Sequence, residues 1–271
     1  MLKDALHDYL GKTCDTAAEM FAQLQESPGK HEAIHELRVS GKKLRAFFAM
    51  ADQLPEYSFK PGKYLSSLKL IQSASGPSRD AQLQQRALSK YEKSTGWRFS
   101  IAHLLLRTRL ETASTELETA IKRTSFKKLQ QLPNRFKEAI HHIHEGDAAT
   151  ALLDYTQTQY ASIAAPSRRA HHTVWHAHRK EMKTLYYQLN ILSQLMPHHL
   201  ERKKMLTHTR KAGELLGTWH DSNELLLFVK ETMAQCKKEE IFLPVNAVEL
   251  LKLIQQDTKM HLVDCFDFPD E

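Results

Sequence analysis

The sequence is short of residues that break helices. Nine glycines and nine prolines are spread over 271 positions, and long stretches hold neither, which excludes a turn-rich β fold. Cysteine is scarcer still. Cys14, Cys236 and Cys265 are odd in number and far apart, so no disulfide framework is expected, and a reducing, cytoplasmic setting fits best. No apolar run approaches the roughly 20 residues needed to span a bilayer. The opening MLKDALHDYLGK lacks the apolar core of a signal peptide. Glycine-rich phosphate loops, of the GxxxxGK[ST] or the GxGxxG kind, are also missing.

What is present is a charged, helix-forming chain. Apolar residues make up 41% and charged residues 26%, with a formal net charge of +6 and 16 histidines. The length suits about two domains' worth of core, and the charge favours anionic partners. Helical periodicity predicts segments over Lys3–Gln25, His31–Leu54, Lys63–Ala74, Ser78–Lys93 and Trp97–Lys122. A connector holding Pro133 follows from Thr124 to Asn134. Further helices are predicted over Arg135–His144, Ala148–Ala164, Thr173–Met196 (stopped by Pro197), His199–Leu216, Asp221–Lys238 and Val245–Phe266. Gly76 and Gly217 are read as helix stops. The expected class is all-α.

The chain also repeats itself. At an offset of 141 residues, His35 meets His176, Arg38 meets Arg179, Lys42 meets Lys183, Leu44 meets Leu185, Gly76 meets Gly217 and Asp80 meets Asp221. Lys69 and Arg210 match in charge at the same offset. The pattern implies duplication of a helical unit, with residues 1–130 as the first copy and 131–271 as the second. About four helices per copy suit a helical bundle.

The matched residues lie on one helical face. In HELRVSGKKLR, at 100° per residue, His35, Arg38, Lys42 and Arg45 fall within an arc of roughly 80°, while Leu37, Leu44 and Phe48 line another. In HAHRKEMKTLYY, His176, Arg179 and Lys183 repeat the cationic face, with Tyr186 in place of Arg45 and His178 in place of Leu37. Such a stripe is either a solvated surface or one wall of a cleft. Its repetition, its arginines and its lack of interleaved acids favour a cleft that holds a polyanion. Asp80 and Asp221 are read as orienting partners for the bases.

These residues make the chain resemble the CHAD family, the α-helical domains named for conserved histidines. The likeness rests on HELRVSGKKLR with GPSRD (Gly76 to Asp80) and on HAHRKEMKTLYY with LGTWHD (Leu216 to Asp221). It implies two four-helix bundles related by pseudo-twofold symmetry with a basic cavity between them. It implies binding of inorganic polyphosphate and an ability to associate with polyphosphate granules. By position, the ligand would meet His35, Arg38, Lys42, Arg45, His176, Arg179 and Lys183, with Lys43, Lys69, Arg79 and Arg210 as additions. Two departures stand out: Tyr186 where the family carries a second base, and His220 opposite Arg79.

Other chemistry has less support. His141, His142, His144 and His171, His172, His176, His178 form clusters, and His172 with His176 has i,i+4 spacing, but no acid partner is evident nearby, so no metal is expected. No cofactor is expected. The ExExK signature of triphosphate tunnel domains is missing, and no clustered acids are seen that could hold Mg²⁺. The expectation is therefore a binding module, with a phosphohydrolase or phosphotransferase as the alternative. The basic face of the first copy carries no aromatic to stack a base, which counts against nucleic acid. Oligomeric state is not legible.

Overall fold

A computed structural model describes residues 1–196 and 200–266, with the side chains of residues 200 and 201 left aside. Every regular element among them is a helix. In chain order these are α1 (Leu2–Glu26), α2 (His31–Ala51), α3 (Gly62–Ala74), α4 (Gly76–Thr95), α5 (Ser100–Lys122), α6 (Lys127–Ile140), α7 (Glu145–Ser162), α8 (His172–Leu195), α9 (Leu200–Lys238) and α10 (Val245–Phe266). The predicted stop at Pro197 and start at His199 lie outside the described residues.

Three expectations need correction. The connector from Thr124 to Asn134 is largely helix α6, with Pro133 inside it. Leu129, Leu132, Phe136 and Ile140 recur at helical spacing and are all buried. That burial outweighs the hydrogen bond that proline cannot donate. Gly217 stops nothing, because α9 runs unbroken for 39 residues. A helical glycine costs only about 1 kcal/mol, and Leu216 and Trp219 continue the buried stripe across it. Gly76 is likewise not a stop. It opens α4, with Pro77 in the first turn, where a missing N–H does no harm. Gly96 does end a helix: its φ of 68° is the left-handed cap that glycine adopts most easily.

The spans follow the 141-residue offset. His31, the first residue of α2, corresponds to His172, the first of α8. The α3–α4 pair, broken only at Ser75, corresponds to α9, and α5 to α10.

The core has three parts. The largest joins α1, α2, α3, α6 and α7 with the C-terminal ends of α5 and α8. It includes Leu10, Leu37, Leu44, Phe47, Phe136 and Ile191, and Phe136 packs edge-on against Phe47 with ring centroids 5.0 Å apart. A second joins α4 and the start of α5 to α9 and α10 through Leu88, Leu106, Phe228 and Ile254. A third centres on Trp175, Met182, Leu216 and Trp219 of α8 and α9. The clusters cross residue 130 in both directions, so helices of each half complete the packing of the other. Most important for the site, α2 packs directly on α8.

Candidate polyanion cleft

Helices α2 and α8 each turn one face to the core. On α2, Ile34, Leu37, Leu44 and Phe47 are buried, and on α8 so are Trp175, Met182, Leu185 and Leu189. The basic residues are thereby directed to the other side. Gln188 ties the two helices by donating from Nε2 to the Ala46 carbonyl at 3.4 Å.

The two stripes meet. Burial pushes the Lys42 ammonium down to about 8, and Lys183, Arg38, Arg179 and Arg45 push it the same way. Four cations from both helices thus bear on one lysine. Burial also lowers Lys183, helped by Arg179 and opposed by Asp221. Arg38 and Arg179 are half-buried and lowered by desolvation; Asp80 pulls Arg38 back, and Asp221, Glu224 and Asp80 pull Arg179 back. Holding so many half-buried cations together costs energy in the empty protein, which the nearby acids offset only in part. An anion would return it.

Arg38 is fixed by α3. Its Nη1 donates to the Gln72 carbonyl at 2.8 Å. The Gln72 amide donates to the Arg38 carbonyl at 3.1 Å, and its Oε1 accepts from Arg45 Nη1 at 3.0 Å. Gln72 therefore sets two of the four basic groups of the first stripe. It was missed in the sequence because its counterpart at the offset is Gly213. Gly41 makes room for it: a Cβ at Gly41 would overlap the Gln72 side-chain amide. At the 141-residue offset the sizes are reversed, with Met182 at the place of Gly41 and Gly213 at the place of Gln72. There Lys183 lies over Gly213 and Gly217, its Cγ and Nζ 3.8 and 3.9 Å from where their Cβ atoms would be. Arg179 Nε is buried with no hydrogen-bond partner among the described residues.

The acids stand at one end. Burial raises Asp221, while Arg179, Lys183 and Arg79 draw it down. Burial raises Asp80 as well, against Arg38, Arg79, Arg179 and Lys42. Glu224 is raised by burial and by both aspartates. Arg79, half-buried, is thus among the groups the two aspartates feel. With His172, His176 and His220, the three acids line a cavity of about 400 Å³ between α4, α8 and α9. His176 and His220 bring their Nδ1 atoms to 3.3 Å. Burial lowers His220 to about 3, reinforced by Arg179, His176 and Lys183, and His176 is lowered for similar reasons. The His220 ring is therefore neutral at pH 7 and adds no charge when the empty protein is brought to pH 6.

Other predicted residues lie apart. His35 is exposed, with Nε2 3.9 Å from its neighbour Glu36. Lys69 is exposed and Lys43 half-buried. Arg210 is exposed and faces Glu214 at 3.9 Å, although it lines a second cavity, of about 450 Å³, with Lys183, Tyr186 and Tyr187. His178 is buried beside Trp175 on the core side of α8. HEAIH at His31 to His35 has the HExxH spacing of a zinc helix. It occupies the first turn of α2, where His31, Glu32 and His35 are exposed. Among the described residues, no group of three or more His, Cys, Asp or Glu is arranged to hold a metal ion.

The CHAD domain family model matches residues 15–229. The chain belongs to the CHAD domain family. Its fold is similar to that of PptA from Streptomyces chartreusis, with a TM-score of 0.62 at 16% sequence identity, over 97% of this chain and 95% of that one. No curated protein matches the sequence. Among the described residues, no helix of this CHAD protein is long and apolar enough to cross a membrane.

Proposed function

We propose that this CHAD protein binds inorganic polyphosphate, without chemistry on it, in a cleft walled by α2 and α8. In this reading residues 1–130 and 131–271 are two copies of one unit, and each supplies a wall. The observation that carries it is the convergence of Arg38, Lys42, Arg45, Arg179 and Lys183, with Lys42 pushed down to about 8 by burial and by the other four cations. Polyphosphate is a flexible chain of repeated charge with no base to read, so a row of guanidinium and ammonium groups suffices to hold it. Family membership supports the same ligand. The proposed contacts are Arg38, Lys42, Arg45, Arg179 and Lys183, flanked by Arg79, Lys43, Lys69, Arg210, His35 and His176. Asp80 and Asp221 orient the arginines. A cytoplasmic setting and association with polyphosphate granules belong to this proposal too.

A second reading has one observation in its favour. Asp80, Asp221 and Glu224 lie within each other's field beside the arginines; they do not by themselves form a metal site, but acids beside a bound polyphosphate are what a phosphohydrolase needs to recruit Mg²⁺ together with its substrate. Incubating the protein with polyphosphate and Mg²⁺ separates the two. The binding reading expects saturable binding and no phosphate release above the blank, whereas sustained release sinks it. Equal competition by duplex DNA at matched charge would count against the choice of ligand.

Lys42 adds a pH signature. Its ammonium is lowered to about 8 in the empty site, and a bound polyanion raises it. Affinity should therefore be level below pH 8 and fall about tenfold per unit above it, since each binding event then takes up one proton. Lys42→Arg, which stays charged throughout, should remove that fall. A titration in which both proteins lose affinity alike would take Lys42 out of the site.

A further inference from the structure

Beneath α8, on the side away from Arg179 and Lys183, a separate cavity of about 360 Å³ opens between α7, α8, α9 and the end of α10. Trp175, His178, Met182, Leu216 and Phe266 line it, and Tyr160 stands at its edge with its hydroxyl 3.2 Å from His208 Nδ1. Most of its lining residues are apolar, although polar and apolar atoms share its surface about equally. Trp175 is 1% exposed, yet its indole Nε1 has no hydrogen-bond partner among the described residues. A buried donor left unpaired costs roughly 1–3 kcal/mol, and indole N–H groups in protein interiors normally find an acceptor. Phe266 meets Trp175 edge-on, with centroids 4.8 Å apart, so the wall has the geometry that receives aromatic rings.

The first half shows why the space exists. Ile34 and Leu37, which precede Trp175 and His178 by the 141-residue offset, are sealed in one cluster with Leu129, Leu132 and Phe136 of α6. That helix closes the bundle by packing on α1 and α3. Among the described residues, no helix plays this part beside α7 and α9.

We propose that this cavity is a second ligand site, independent of the polyanion cleft, for a small neutral aromatic molecule whose oxygen accepts from Trp175 Nε1. Its volume lies at the lower end of small-molecule pockets, and mostly apolar lining side chains with a few polar groups among them are their usual form. Burial lowers His178, so the ring stays neutral and offers a nitrogen to a ligand hydroxyl. Among the described residues no lysine or arginine lines the cavity, and Arg168 nearby stacks over the Phe266 ring at 5.0 Å, which separates this site from the cleft.

The probe is 1-naphthol, titrated into the full chain by calorimetry at pH 7. One saturable site per chain is expected. Ala212→Phe, which projects a ring into the cavity from α9, should abolish it. Trp175→Phe, which keeps the apolar wall and deletes the donor, should weaken it about fivefold, as loss of one hydrogen bond implies. Saturating polyphosphate should leave it unchanged. Absence of saturable binding to the wild-type chain would overturn the proposal. So would undiminished binding by a helical Ala212→Phe protein, or displacement by polyphosphate, which would put the probe in the cleft. Should Ala212→Phe fail to fold, Trp175→Phe decides, and unchanged affinity there would overturn the assignment.

Discussion

Alanine at both Arg38 and Arg179 should weaken the binding of long-chain polyphosphate by about 100-fold or more at low salt. Each guanidinium is half-buried among other cations, where a charge-assisted hydrogen bond contributes about 1.5–3 kcal/mol. Two such losses multiply. The salt dependence should flatten as well. Each phosphate no longer neutralised removes roughly 0.7 from the slope of log affinity against log salt, by analogy with single-stranded nucleic acid. Arg38→Ala also removes the donor to the Gln72 carbonyl, so circular dichroism must first show intact helices. The pair Arg38→Lys and Arg179→Lys keeps the charge and loses the planar fork, and should fall between. A folded double-alanine protein with unchanged affinity and slope at matched salt would move the ligand elsewhere.

Methionine at Gly41 should destabilise the fold by about 1–3 kcal/mol, the usual cost of overfilling a packed site. A Cβ there overlaps the Gln72 amide, and the longer side chain would expel Gln72 from its bonds to Arg45 and the Arg38 carbonyl. The second half suggests the remedy, since the positions 141 residues after Gly41 and Gln72 hold Met182 and Gly213, the large and small residues exchanged. Gly41→Met with Gln72→Ala should therefore cost clearly less than the two single changes added together. Chemical denaturation of the four proteins of this cycle gives the coupling. Simple additivity would mean that the two positions do not share space. Arg45 loses its Gln72 contact in every altered member, so polyphosphate affinity should drop in all three even where stability recovers.

Much of this was legible in the sequence, and the failures have physical causes. Long helices such as α1 and α2 declared themselves by the spacing of Leu6, Leu10 and Phe21, or of Leu37, Leu44 and Phe48. Punctuation misled. Pro133 and Gly217 were read as breaks because each weakens a helix locally, but the buried residues around them outweigh a single local penalty. The basic stripe could be placed on one face by counting, whereas its meeting with a second stripe depends on α2 packing against α8 across 141 residues, which no local pattern encodes. His35 shows the limit of counting: it shares the arc with Arg38 but lies out in solvent at the helix start. Gln72 could not be found at all, since an uncharged residue with a glycine counterpart carries no repeat signal. His220 was visible only as a departure. Its low pKa of about 3 follows from burial against Arg179 and His176, so this ring is a neutral polar lining of the cavity rather than a further charge.

In the proposed function, both halves of the chain hold a single polyphosphate between them. A crystal structure of the complex with long-chain polyphosphate tests it most directly. One continuous phosphate chain is expected within hydrogen-bond distance of Arg38 and Lys42 on α2 and of Arg179 and Lys183 on α8. Phosphates bound to one of these helices alone, or at another face with the cleft empty, would contradict it.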